Sequence, residues 1–480
     1  STPGNPRSIA PIPSSPGVGR GARDGGPPGT ARDAEHTACD STYGITPRAP
    51  VRCVSLMARR FRSLARLAGL GLTICLGILQ PAAAAEPLRI AVLDTLSGPF
   101  AREGKAVVQH FLYVAETINR RGGAGGHPIE IVALDNKGSV QESLVLLRQI
   151  ADRGIRYVAQ GNGSHVAGAL IEAIEKHNDR RPDTAILYLN YSAVDPSLTN
   201  EKCSFWHFRF DANAEMRLAA ITDYMARRPE VKKVFLINQD YAHGQQVSSI
   251  TKRMLVEKKP DVEIAGDVLH PIGKVKDFSP YVMQIKASGA ETVVTGNWGN
   301  DLALLVKAGA EAGLDVAYYS FYAGGFGVPT AMGAAGNDRV YQITEWHRDI
   351  PIERDNPELE AQARAFAEAT GGPWYFHRIG TALEMLTKAV ERSRSTAPLQ
   401  VALALEGMRH ATPLGDVEMR REDHQLLQPL FISRFSDRAR HDAEGTGFGF
   451  VTVASIAAAD TALPSRCQMR RPRGADSAHK

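Results

Sequence analysis

The sequence predicts an α/β protein built as two doubly wound parallel-sheet lobes, on three observations. A strand and an amphipathic helix open at Leu88. Strands and helices then alternate as far as Asn190. After an aromatic break, Phe205-Trp206-His207-Phe208-Arg209-Phe210, a second alternating series runs to Phe321. Alternation at this spacing implies parallel strands joined by helices, with both faces of each sheet covered.

The first unit sets the pattern. Residues 88–93 are rich in Ile, Val and Leu, and Ser97, Gly98 and Pro99 end the run. From Glu103 onward, Val107, Val108, Phe111, Leu112, Ala115 and Ile118 make the stripe of a helix packed on one face, which Gly122 and Gly123 stop. Ligands of such sheets sit outside the carboxyl ends of the strands, so the loop 94–102 is a pocket candidate. Strands follow at 129–136, 156–160 and 185–190, with helices at 140–151 and 166–177 between them. The second series has strands at 231–238, 262–269, 291–296 and 316–321, and helices at 214–227, 244–258, 278–288 and 301–313. Beyond Arg339 come helices at 358–370 and 376–392, then strands near 430–435 and 449–456. That block reads as the chain returning to cover the first lobe and crossing again at the end. The residues after Cys467 are polar and are expected to be loose.

The 480 residues divide unevenly in composition. Residues 1–56 hold 9 Pro and 8 Gly with scarcely any apolar periodicity, and are expected to be a disordered extension upstream of Met57. Residues 57–85 read as a secretory signal peptide: Arg59, Arg60, Arg62 and Arg66, then an apolar run of 13 residues, 67–79, then Ala83-Ala84-Ala85 as the cleavage site. A run of that length falls short of the roughly 20 residues a membrane-spanning helix needs.

Cleavage also changes the charge. Losing ten arginines and four acids with the two leading segments takes the formal charge from +4 to −2, so the basic character belongs to the precursor. No basic patch survives to suggest nucleic acid. Of five cysteines only Cys203 and Cys467 remain, which permits one disulfide in an exported chain or two unpaired thiols; the bridge is the expectation taken. No CxxC, HxxxH or HExxH spacing points to a metal, and no GxSxG, P-loop or strand-following GxGxxG points to an enzyme or a cofactor.

Four stretches in order, LRIAVLDTLSGPFAREG, INRRGGAGGHPIEIVALDNKGSVQESLVLLRQIADRGIRYVAQGNGS, INQDYAHGQ and KDFSPYVMQIKASGAETVVTGNWGND, resemble the type I periplasmic solute-binding proteins of ABC importers, particularly the branched-chain amino-acid group. The resemblance spans about residues 88–456 and implies two lobes joined by three crossovers, near 205–210, 343–347 and 430–435. Its domain limits would be 87–207 plus 345–431 for the first lobe and 208–344 plus 432–467 for the second, with 468–480 as tail. The implied function is capture of a small amino-acid-like solute and its delivery to a membrane permease.

The resemblance also implies site residues. Gly161-Asn162-Gly163-Ser164 matches a turn that presents a serine hydroxyl and backbone N–H groups to a ligand carboxylate. Exposed N–H groups and a helix dipole favour an anion there in any case, although Ser164 could equally be an ordinary cap. Ser192, with Asn190 behind it, is the second carboxylate candidate, and Val194 stands where some members have threonine. From the second lobe, Tyr241 matches an aromatic that contacts the ligand. Asp301 matches an acid that faces the ligand ammonium, while Asp at a helix start is also favourable as a cap. Trp298, Tyr322, Tyr375 and Phe100 are expected to line the apolar part. An amide or amino-acid sensor on the same fold is the alternative function.

Overall fold

The computed structural model describes residues 85–475. The expected extension and signal segment lie outside them, apart from Ala85. No helix among the described residues is long and apolar enough to cross a membrane.

The first lobe begins with β1 (Leu88–Asp94), α1 (Ala101–Arg120), β2 (Ile129–Asp135), α2 (Val140–Asp152), β3 (Tyr157–Gln160), α3 (Ser164–Arg180), β4 (Leu187–Asn190) and β5 (His207–Arg209). Its sheet has the order β2-β1-β3-β4-β5, parallel throughout. Ile90, Val92 and Leu93 of β1 are buried, as a strand covered on both faces requires, and α1 lays Val107, Phe111, Ala115 and Ile118 against the sheet. Leu112, expected in that stripe, is half exposed at the stripe's edge. Ser139 starts α2 by accepting from the N–H of Glu142 (3.4 Å). The aromatic stretch expected as a break contains β5, an additional strand.

The second lobe follows: α4 (Ala214–Ala226), β6 (Lys233–Gln239), α5 (Ala242–Lys258), β7 (Glu263–His270), α6 (Ser279–Ser288), β8 (Thr292–Val294), α7 (Asn300–Glu311), β9 (Ala317–Ser320), α8 (Val328–Met332) and β10 (Val340–Thr344). The chain then returns through α9 (Ile350–Glu353), α10 (Pro357–Thr370), α11 (His377–Ser393) and α12 (Pro398–Leu405). A small sheet of β11 (Arg409–Thr412), β12 (Gly415–Met419) and β13 (Leu426–Leu427) comes next. Ile379, Leu383, Leu386 and Val390 of α11 complete the first lobe's core. The last two strands, β14 (Leu430–Ser436) and β15 (Gly449–Ile456), close the second sheet in the order β15-β14-β10-β9-β8-β6-β7. That sheet is parallel except at this edge, where β14 runs antiparallel to both neighbours. The first sheet thus keeps the chain to Arg209, and the second takes it back at Leu430.

The chain passes between the lobes after β5, after β10 and before β14, and these passages share one buried network of charge. Asp211 stands on the first, Glu345 on the second, and Arg217 and Arg378 start α4 and α11; all four are buried. Arg378 donates to Glu345 Oε1 (2.6 Å) and lies 3.4 Å from Asp211 Oδ2, while Arg217 donates to Asp211 and to the carbonyl of Ile343. Gln425 Nε2, near the third passage, donates to the carbonyl of Asp211 (2.8 Å). Burial opposes the charge of Arg378, but Asp211 and Glu345 outweigh it and hold its guanidinium above the usual range.

The expected loose tail is docked as far as it is described. Beyond β15 the chain recrosses to the first lobe, where Cys467 is bonded to Cys203. Arg470 pairs with Glu175 (3.0 Å) and Asp179 on α3, Arg471 pairs with Glu406 (2.7 Å), and Ala475 is fully buried. Cation pairing and a covalent link hold a stretch that composition alone marks as solvated.

Three outcomes are expected. The chain from residue 86 onward, denatured without reductant, shows no reactive thiol, and two after reduction; replacing both cysteines by serine costs about 2–5 kcal/mol in urea unfolding. Glu345→Ala, which strips a partner from two buried guanidinium groups, costs about 3–5 kcal/mol. Burial alone would raise the carboxyl of Glu406, but hydrogen bonds from His424 and Arg471 hold it at about 2. Its stabilisation is therefore complete above the ordinary range near 4.5 and is lost as pH falls toward 2; the deficit of Glu406→Gln at pH 7 shrinks over that window in acid unfolding curves.

Candidate functional site

Helix starts from both lobes converge on one cavity, bordered by the starts of α1, α3, α5, α7 and α11. This is the carboxyl-end position that the sheet topology dictates.

On the first-lobe side the turn after β3 is set by packing. A Cβ on Gly161 would stand 2.7 Å from the backbone nitrogen of Ser192, so only glycine lets the two loops touch. Gly163, at φ 93°, caps α3 without a side chain, which leaves the first N–H groups of a 17-residue helix facing the cavity. Ser164 Oγ accepts from the N–H of Asp195 (3.3 Å), and its own proton remains available for a ligand.

Buried Asp94, at the end of β1, fastens these loops. Its Oδ1 accepts from Asn162 Nδ2 (2.8 Å) and the N–H of Thr95 (2.7 Å), and its Oδ2 from the hydroxyl of Tyr191. Burial raises its pKa and those hydrogen bonds partly counter the rise. Asn190 Oδ1 accepts from the N–H groups of Ser192 (3.1 Å) and Ala193 (2.7 Å), and Arg378 donates to Ser192 Oγ (3.0 Å).

The opposite wall is aromatic. Trp298 Nε1 donates to Tyr241 Oη (2.9 Å), and the hydroxyls of Tyr322 and Tyr375 have no hydrogen-bond partner among the described residues. His243 lies beneath them; burial and then Arg217 lower its pKa to about 4, so it is neutral at pH 7. A neutral, largely aromatic wall facing open N–H groups suits a small anion or zwitterion with an apolar body.

Of the ten residues expected at the site, Asn162, Ser164, Ser192, Tyr241, Trp298, Tyr322 and Tyr375 border the cavity. The other three do not. Asn190 stands behind Ser192 as a brace. Phe100 lies outside, packed at a tilt on Trp298 with ring centroids 4.2 Å apart. Asp301 is buried below the α7 start, where its Oδ2 accepts from Gln239 Nε2 and from the N–H of Gly273 (2.8 Å each). It braces two loops of its own lobe, so the structure does not bring it to the ammonium position that the resemblance implies.

Sequence reasoning missed Glu103, His243, Phe376 and Arg378. Glu103 follows directly on the loop singled out as a pocket candidate, and that proximity was the available signal. Arg378 had none, because its position depends on contacts across the whole chain.

A family model described as "Periplasmic binding protein" matches residues 87–440. The Leu/Ile/Val-binding protein homolog 4 of Brucella abortus is 35% identical over 407 residues, covering 81% of this chain and 94% of that protein. The closed crystal structure of the leucine-, isoleucine-, valine-, threonine-, and alanine-binding protein from Brucella ovis shares 32% identity at a TM-score of 0.73, over 81% of this chain and all of that one. A solute-binding protein of an ABC transporter from R. palustris, in complex with benzoate, shares the fold at 19% identity and a TM-score of 0.67, over 80% of this chain and 99% of that one. With its two parallel-sheet lobes, its cleft and these relatives, the chain belongs to the periplasmic binding protein family, a family of solute-binding proteins and not of enzymes.

Proposed function

We propose that this protein captures a small amino-acid-like solute between its lobes and delivers it to a membrane permease, after removal of the leader 57–85 near Ala85. The observation that carries the reading is the open start of α3 in the cavity: uncapped N–H groups, the Ser164 hydroxyl and Ser192 converge where a carboxylate would sit. Asn162 and Asn190 hold that arrangement from behind through Asp94 and the Ser192 loop. Tyr241, Trp298, Tyr322 and Tyr375 give the solute's side chain an apolar enclosure. The Brucella relatives named for leucine, isoleucine and valine support the same class. A ligand touching both lobes favours the closed form, because only that form offers it every contact.

A thermal-shift screen of amino acids and matched carboxylates tests the reading, since a compound that binds only the native state raises the melting temperature. Branched or aromatic amino acids are expected to score. Ser164→Ala, which removes one hydrogen bond to a charged group worth about 1.5–3 kcal/mol, should weaken the best binder about tenfold to a hundredfold in calorimetric titration. A wild-type protein that no member of the screen stabilises would refute the ligand class.

A further inference from the structure

We propose that Glu103 is the acceptor for the ligand's ammonium group, and that it makes the cleft selective for amino carboxylates over plain carboxylates. This rests on the carboxylate position proposed above and adds the other end of the ligand.

Glu103 is the one acid among the residues that border the cavity. It stands in the first turn of α1, and its Oε1 reaches across the cleft to Gly299 at the start of α7, 3.1 Å from where a Cβ on that glycine would lie. Phe100, whose ring packs on Trp298, lies against the same glycine. It has no ion pair among the described residues. Arg102 beside it turns away to Glu444 (3.3 Å), and Arg378 is committed to Asp211 and Glu345.

The starts of α1 and α7 beside Glu103 favour its charge, but no side-chain cation pairs with it among the described residues. β1 contributes Asp94 and the loop before β15 contributes Glu444, both acidic; its own helix contributes only the diverted Arg102. The cavity wall adds the neutral His243 and the tyrosines. Burial accordingly raises the Glu103 carboxyl to about 7, a rise that its own N–H and Arg102 only partly offset. An ammonium beside it would restore the ionised form.

The ligand's orientation then follows. The start of α3 carries no acid and favours a carboxylate, whereas Glu103 supplies the carboxylate of the cavity lining, so the two ends of a zwitterion sort themselves between α3 and Glu103. A purely structural reading is available, since an acid near a helix start is favourable by itself, but that role predicts no discrimination between a ligand with an amine and one without.

The test compares L-leucine with 4-methylpentanoate, and L-phenylalanine with 3-phenylpropanoate, by calorimetric titration of the mature wild type and of Glu103→Gln. Support is a wild-type preference for the amine of about thirtyfold or more that falls to about threefold or less in the variant, with affinity for the plain acids kept. A second readout needs no variant. The ratio of the two affinities depends on the Glu103 pKa in the two complexes, so it should be largest near pH 8 and shrink toward about pH 5.5, where both ligands still carry ionised carboxylates. A preference unchanged by the variant or by pH overturns the role of Glu103 and leaves the proposed function standing. Tighter binding of the plain acids, or of benzoate, overturns it while keeping the carboxylate position at α3. If no compound of either kind binds the wild type, the proposed function falls, and this inference with it.

Discussion

Four buried charges hold the two lobes in register. Asp211 and Arg217, Glu345, and Arg378 come from three separate places in the sequence and meet where the chain passes between sheets. An isolated charge at such a site would be prohibitive, so each member is tolerable only because the others are present. The network is also laid against the cleft: Arg378 donates to the carbonyl of Tyr191 (2.6 Å) and to Ser192, and Arg217 lies over the ring of Tyr322 at 5.2 Å. The same residues thus join the passages between the lobes to the floor of the cleft.

Asp94 does on the first lobe what the four charges do between lobes. One carboxylate gathers the loops after β1, β3 and β4, so the turn that presents Ser164 is rigid before any solute arrives. Ordering these loops in advance reduces the entropy lost on binding. Asn162 illustrates the division of labour: it borders the cavity, yet one of its two amide protons is given to Asp94.

The alternating sheets were legible because strands buried on both faces write long apolar runs and their helices write one-sided stripes. What escaped has physical causes. Strand β10, VYQIT, carries Gln342 in its centre; the side chain is buried and accepts from the N–H of Gly324 (2.7 Å), a tertiary bond that no local pattern shows. Strands β11 to β13 are short and partly exposed, with little periodicity to read. At the site, the chemistry of a residue was readable but its direction was not. Asp301 and Glu103 are both acids in the first turn of a helix facing the cleft region; one folds under its own loop and the other reaches the cavity. The tail was misjudged from composition, since Arg470 and Arg471 look solvated until their carboxylate partners on α3 and after α12 are known.

Cys203 and Cys467 are 264 positions apart, and the chain between them includes the whole second sheet and the returning helices of the first lobe. The bond therefore turns most of the molecule into a covalent ring that contains every passage between the lobes described above, the return beyond β15 included. A protease that cuts once inside this ring, for instance in the exposed loop ahead of β15, opens it without releasing a fragment. The nicked protein remains one molecule with both halves of its cleft, and a single cleavage need not end its service as a carrier in a compartment where reduction is rare.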